Sequence, residues 1–428
     1  MAAHGSSPSP RPYQLIVFGA SGFTGRYVVE EVARSSAEVP GGNLTWAVAG
    51  RSRDKLEKVL QETAQQLGTP ELQSEVEIIV ADVSEPDSLA AMCKLGRIIL
   101  NCVGPYRFYG EAVVKACVDN GAHCVDISGE PQFLESMQLN YNSAAADAGV
   151  YIVGSCGFDS IPSDMGVIYT RDQFKGTLTA VESFLTASSG PEGACIHDGT
   201  WQSAVYGLAD SAKLKALRKK FNHKPLPVVG AKLKRRGPLF YSTEIQQYTI
   251  PFMGSDPSVV KRTLRFLSEE QKETPVQYGA YVGIGGIVSV FKLLFAGFFF
   301  SLLSRFNFGR KLLIKFPEFF SFGYFSKAGP TRKQMEGCSF SFAFFGEGYT
   351  EGQDPSLGKP DAKIRTLVHG PEPGYVATPI AMVQAALTIL NEPDALPKKG
   401  GVYTPGAAFA KTNLIERLDK HGIHFSVL

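Results

Sequence analysis

Three glycines, Gly19, Gly22 and Gly25, recur at every third position in Gly19-Ala20-Ser21-Gly22-Phe23-Thr24-Gly25. The first of three such glycines permits a tight turn, the second lets backbone approach a pyrophosphate, and the third lets a helix pack close to a strand. The N-terminus of that helix would favour the phosphate charge. The flanks supply the context that a bare glycine motif lacks. Residues 14–18, Gln-Leu-Ile-Val-Phe, are a run of strand formers, and from Tyr27 the pattern Tyr-Val-Val-Glu-Glu-Val-Ala turns helical. A glycine-rich turn without a ligand is the bland alternative, and the strand–turn–helix setting weighs against it.

A second strand, 44–49, ends in Gly50-Arg51-Ser52. An NAD site usually carries a carboxylate here to bind the ribose hydroxyls. A carboxylate would repel a 2′-phosphate, whereas Arg51 can fork onto it and Ser52 can donate to it. NADP(H) is therefore favoured over NAD(H), against the alternative that Arg51 is only a surface residue. The insert 35–43, rich in Pro and Gly, lengthens the path from Gly19. A third strand, 76–81, is followed by Asp82-Val83, where an Asp commonly faces the adenine amino group. Asp82 or Ser84 could instead cap a helix from Pro86.

The fourth strand, 97–103, leads into Gly104-Pro105-Tyr106, the fifth, 123–128, into Gly129-Glu130, and the sixth, 150–154, into Ser155-Cys156-Gly157-Phe158-Asp159-Ser160-Ile161-Pro162. Helical segments at 110–119 and 133–148 separate them. This alternation predicts an α/β fold, a Rossmann-type doubly wound parallel sheet. Such sheets bind ligands at the strand C-termini. Hydride transfer also needs a proton donor for the reduced atom. A Tyr-x-x-x-Lys dyad is missing, because Tyr109–Val113 and Tyr141–Ala145 both lack the lysine. The candidate donors are Tyr106, Asp126, Glu130, Cys156, Asp159 and Ser160. Asp126 and Asp159 could equally cap turns, Cys156 could be packing, and Tyr106 could stack on a nicotinamide. His197 and Asp198 could enter the pocket from the second half of the chain, or form a loop turn.

The whole chain has 428 residues, 44% of them hydrophobic, enough for two domains. A net charge of +2 gives no global field for nucleic acid. Seven Cys are scattered singly, without Cys/His spacing for a metal, and read as reduced residues of an intracellular, non-secreted protein. Residues 1–10 read as a flexible polar tail. Segments 177–188, 240–250, 338–346 and 363–369 look like strands of a second, antiparallel or mixed sheet, and a helix from Pro379 has Thr378 at its N-cap.

Two features of the second half stand out. Ten Lys or Arg and no acid lie between Ser211 and Arg236. Residues 276–304 carry one charge, Lys292, and 12 of the 29 Phe fall between 291 and 325. Lys292 splits the apolar run, and a lysine near a bilayer centre costs about 3 kcal/mol. An apolar hairpin or interfacial helix with basic residues on headgroups fits better than a span. A buried core segment or a dimer interface is the alternative, and a homodimer is left open.

The motifs Phe-Gly-Ala-Ser-Gly-Phe-Thr-Gly, Ala-Gly-Arg-Ser, Asn-Cys-Val-Gly-Pro-Tyr, Asp-Ile-Ser-Gly-Glu, Gly-Phe-Asp-Ser-Ile-Pro and the closing Gly-Gly-Val-Tyr-Thr-Pro-Gly-Ala-Ala-Phe together resemble the saccharopine dehydrogenase-like oxidoreductases, nearly end to end. That family includes trans-acting enoyl reductases of mycobacterial glycolipid synthesis, which share the opening motif. The resemblance implies a Rossmann domain over 11–165, an inserted mixed α/β domain over 166–373 for substrate binding and dimerisation, with 276–304 as its membrane-contact segment, and a return to the Rossmann domain over 374–428. It implies a cofactor site of Gly19, Ala20, Ser21, Gly22, Phe23, Thr24, Gly25, Arg51, Ser52, Asp82, Val83, Asn101, Cys102, Val103, Gly104 and Tyr106. A substrate with several carboxylates would call for convergent Arg or Lys residues, and the sequence places no such cluster at the strand ends, which counts against saccharopine. The expected activity is NADPH-dependent reduction of a lipid-derived carbonyl or enoyl group at a membrane, mitochondrial membranes included, or at a lipid droplet, where an animal member of the family is found. The rivals are a catalytically silent NADPH-binding scaffold or redox sensor on droplets, and a soluble saccharopine-type amino-acid dehydrogenase.

Overall fold

The computed structural model describes residues 11–38, 42, 44–209, 211–356 and 358–428. The tail at 1–10 and part of the Pro/Gly insert lie outside the described residues.

The first half forms strands β1 (Tyr13–Phe18), β2 (Trp46–Gly50), β3 (Glu77–Val80), β4 (Gly96–Asn101), β5 (His123–Asp126) and β6 (Tyr151–Val153). Then come β7 (Thr177–Ser188), β8 (Ile196–His197), β9 (Phe240–Ser242), β10 (Gln247–Pro251), β11 (Gln277–Gly285), β12 (Phe325–Ser326), β13 (Ser339–Tyr349), β14 (Ala362–Pro371), β15 (Gly401–Tyr403) and β16 (His424–Val427). The first sheet has the order β15-β6-β5-β4-β1-β2-β3 and is parallel throughout. This is the expected Rossmann sheet. Its central strands are buried on both faces over Leu15–Phe18, Trp46–Gly50 and Ile98–Asn101 because helices cover both faces. Alternate residues go to opposite sides: Leu15 and Val17 of β1 join one core, Ile16 and Phe18 the other.

The second sheet has the order β16-β14-β13-β7-β11-β10-β9, with β7 and β11 parallel and the other pairs antiparallel. One core runs from Leu15 and Val17 through the helix Thr378–Asn391 to Phe340, Phe342 and Phe344 of β13. That helix is buried on every side from Thr378 to Ile389, which matches its largely apolar sequence.

The structure corrects four readings. Residues 240–250 form a hairpin, β9 and β10, rather than one strand. Thr378 is the first residue of its helix and Ala377 the N-cap, because a π-turn, Pro373–Ala377, precedes it. The final segment is divided: β15 pairs with β6 in the first sheet, whereas β16 pairs with β14 in the second. The apolar segment 276–304 is two elements, because Gln277–Gly285 finds a ladder partner in β7. Only the helix Ile287–Ser304 stands outside, with Val290 and Ser304 its only buried residues. Its 18 residues reach about 27 Å. Phe291, Leu294, Phe295 and Phe298 are exposed at helical spacing, and Lys292 is exposed among them. A shorter helix, Asn307–Lys315, follows it and packs back against it.

Candidate dinucleotide-binding site

Gly19 closes the turn after β1 with φ +83°, and its N–H donates to the Ala49 carbonyl at 2.9 Å. Any Cβ there would lie 2.7 Å from Val103 Cγ2. At Gly25 a Cβ would lie 2.2 Å from the Gly19 carbonyl oxygen, so helix and turn touch backbone to backbone. Gly22 is the N-cap of the helix Phe23–Arg34 and has no side chain with which to cap it, and no acid lies in the first turn. Ser21 and Gly22 are exposed. The turn thus offers bare N–H groups at a positive helix end, the requirement for holding an anion.

Arg51, at the end of β2, has a side chain 78% exposed, with Nε 4.0 Å from Asp82 Oδ2. Ser52 caps the helix Arg53–Leu67 by accepting the Lys55 N–H at 3.5 Å. Asp82 turns onto Ser84, accepting its N–H at 2.9 Å and its hydroxyl at 2.8 Å. Those bonds hold its carboxyl below the usual range. Neither Asp82 nor Ser84 caps the next helix, whose N-cap is Glu85. Val83 lies beside them, packed on the core.

At the end of β4, Asn101 is fully buried. Its Oδ1 accepts the Val103 N–H at 3.1 Å, and its Nδ2 has no partner among the described residues. An orphaned buried donor costs about 1–3 kcal/mol, which a ligand oxygen would relieve. Desolvation and the nearby Asp126 push the Cys102 thiol up to about 12, away from the thiolate form. Gly104 and Pro105 lead into the helix Tyr106–Asn120, which starts earlier than the sequence pattern indicates.

The candidate donors part company here. Tyr106 is buried with its ring centroid 5.6 Å from that of Phe133, and its hydroxyl donates inward to the Asn101 carbonyl at 2.8 Å. Glu130 accepts Arg107 Nε at 2.6 Å, the Tyr106 N–H at 3.0 Å and the Ser203 hydroxyl at 3.1 Å. Asp126 accepts the N–H groups of Ser128 and Ser155 at 2.9 and 3.2 Å, and burial pushes it up to about 7. It lines a cavity of about 10 Å³ with Phe133, Leu134 and Arg262, room for one water rather than a substrate. Cys156 is buried, and Ser160 shares a hydrogen bond with Ser255 at 3.0 Å. Asp159 is only partly buried, lies against Gly129, and is raised by desolvation to about 6.

Two further acids escaped the sequence reading. Asp164 accepts the Thr263 hydroxyl and the Gly406 N–H, both at 2.7 Å, and desolvation raises it to about 6. Desolvation and the neighbouring Asp159 raise Asp256 to about 8. Their partners come from distant segments, so no local motif marks them. Among the described residues no group of three or more His, Cys, Asp or Glu is placed to hold a metal.

The second half of the chain reaches the site through the helix Asp198–Ala209. At its start His197 stacks on Phe23, ring centroids 4.5 Å apart and 17° between planes. Further along, Ser203 donates to Glu130, and the Tyr206 ring meets Phe108 edge-on at 5.2 Å. The same helix carries Trp201, which donates to the Leu313 carbonyl at 2.9 Å and packs against Phe300 of the exposed apolar helix. One helix thus touches both the first sheet's strand ends and the apolar hairpin.

A family model described as "Saccharopine dehydrogenase NADP binding domain" matches residues 15–153. The chain is 63% identical over 419 residues to a human protein called "Saccharopine dehydrogenase-like oxidoreductase", covering 98% of each. It is 38% identical over 422 residues to the "Lipid droplet localized protein" of Caenorhabditis elegans, covering 97% of this chain and 98% of that one. Among solved structures, apo saccharopine dehydrogenase (L-Glu forming) from Saccharomyces cerevisiae aligns over 97% of this chain and 99% of that one, with a TM-score of 0.53 at 12% identity, a likeness of fold.

Proposed function

The chain belongs to the saccharopine dehydrogenase family and carries its NADP-binding domain, and from that premise we propose that it is an NADPH-dependent reductase of a lipid-derived carbonyl or enoyl substrate at a membrane or lipid-droplet surface. One observation carries the surface part of this reading: His197, which immediately precedes the helix Asp198–Ala209, stacks on Phe23 of the glycine turn, and Trp201 of that helix packs against the exposed apolar helix. An apolar substrate drawn from a lipid phase would need that proximity. The name of the nematode relative agrees with it.

The bare turn Gly19–Gly25 would hold the pyrophosphate, with Ala20, Ser21, Phe23 and Thr24 completing it. Arg51 and Ser52 would take the 2′-phosphate, Asp82 and Val83 the adenine side, and Asn101 Nδ2, with Cys102, Val103 and Gly104, the nicotinamide side. Bound NADPH supplies a hydride. Of the four candidates, Asp159 best fits the proton donor, being part-exposed with a carboxyl raised towards neutrality. Tyr106, Asp126 and Glu130 position the strand ends instead.

Incubating the full chain and NADPH with a total lipid extract, followed by mass spectrometry, tests this. The expected result is a product richer by two hydrogens, formed with NADPH and not with NADH. NADPH binding without turnover of any lipid carbonyl or enoyl compound would sink the reductase reading.

A further inference from the structure

Phe23 is the first residue of the helix whose N-terminus faces the phosphates in the proposed site. Two donors beside it lack partners. His197 lies face to face with its ring at 4.5 Å, and the Arg26 guanidinium sits 4.2 Å from the same ring centroid. The His197 main-chain N–H donates to the Tyr375 hydroxyl at 2.8 Å, and Nδ1 accepts the Gly199 N–H at 3.2 Å. In the tautomer that accepts this bond the ring hydrogen stands on Nε2, which has no hydrogen-bond partner among the described residues. Arg26 Nε is buried and equally without one. Unpartnered N–H donors gathered around a bare helix N-terminus are the makings of an anion site.

We propose that His197 completes the dinucleotide site from the second half of the chain, its Nε2–H donating to the pyrophosphate held by the glycine turn, beside Arg26. This rests on the NADPH reading above and adds a ligand from outside the segment matched to the NADP-binding domain. The stack on Phe23 fixes the imidazole plane, and the strand pair β8–β12 fixes the backbone that carries it. The charged and titratable groups around the imidazole are Asp198, with Oδ1 3.4 Å from Nδ1, Arg26 of the facing helix, and the Tyr375 hydroxyl.

Calorimetric titration of the full chain with NADPH and with 2′-AMP, which has no pyrophosphate, separates the contributions. His197→Phe keeps a ring on Phe23 and removes the donor, whereas His197→Gln keeps a side-chain N–H. The expected result is NADPH binding weakened about tenfold by His197→Phe, as for loss of a hydrogen bond to a charged group, with 2′-AMP binding unchanged and most of the loss restored in His197→Gln. Wild-type NADPH affinity in His197→Phe overturns the proposal. So does an equal loss for both ligands, which would mean that His197 acts through the fold. Wild-type protein that binds neither ligand overturns the cofactor reading itself.

Discussion

Arg107 and Glu130 form an ion pair of 2.6 Å with side chains 9% and 2% exposed. The pair ties the helix that follows β4 to the loop that follows β5, and Ser203 of the helix Asp198–Ala209 joins it. Breaking a buried pair by removing one member costs about 3–5 kcal/mol. Glu130→Ala should therefore lower the unfolding free energy from urea titration by that much while leaving cofactor affinity within a few-fold of wild type in the protein that remains folded. A mutant as stable as wild type would show that the pair is not an anchor.

Arg51 decides between cofactors in the proposed site. Arg51→Ala should weaken NADPH binding about tenfold and leave NADH binding unchanged, because the 2′-phosphate is the only group that distinguishes the two. Fluorescence titration with both nucleotides checks this. Equal weakening of both would place Arg51 elsewhere.

Four desolvated carboxyls set a pH dependence with a definite sign. Asp126 stands at about 7, Asp159 and Asp164 at about 6 and Asp256 at about 8. In an unfolded chain an Asp titrates near about 4. Between about pH 4 and pH 8 these four carboxyls therefore hold more protons in the folded chain, and their contribution to stability falls as pH rises. Asp256→Asn should flatten the upper part of that fall, from about pH 6 to pH 8, in urea unfolding series. An unchanged slope would mean that Asp256 is ionised in the fold.

The exposed face of the helix Ile287–Ser304 should behave as a docking surface rather than a core. Phe291→Glu with Phe298→Glu should change stability by no more than about 0.5 kcal/mol. The same pair should abolish flotation of the protein with phosphatidylcholine vesicles. Loss of folding in the double mutant would return the helix to a core or interface role.

The glycine turn and the strands of the first sheet were legible because their signals are local. β1 reads as an apolar run followed at once by Gly19, and the parallel sheet needs that run covered on both faces. The second sheet was legible only in part. Gln277–Gly285 runs into the apolar helix after it with no charged residue between them, and its pairing with β10 and with β7, about a hundred residues away, makes it a strand. β16 at the C-terminus depends in the same way on β14. Within the site, Arg51 stood out at a strand end, whereas Asn101 came only with the family resemblance. His197 had no such frame, because its importance comes from Phe23, and nothing in Ile-His-Asp-Gly announces a ring stacked there.

The chain holds two tryptophans, and the fold gives them separate duties. Trp46 is sealed within β2. Trp201 sits in the joint between the apolar hairpin and the helix that begins beside His197, its indole N–H fastened to Leu313 and its ring between Phe300 and Phe325. Once Trp46 is replaced by Phe, the emission colour of the protein becomes a gauge on that joint alone. Water entering the joint would redden it, so whether lipid at one end and nucleotide at the other are felt at the same place can be read in a cuvette without a label.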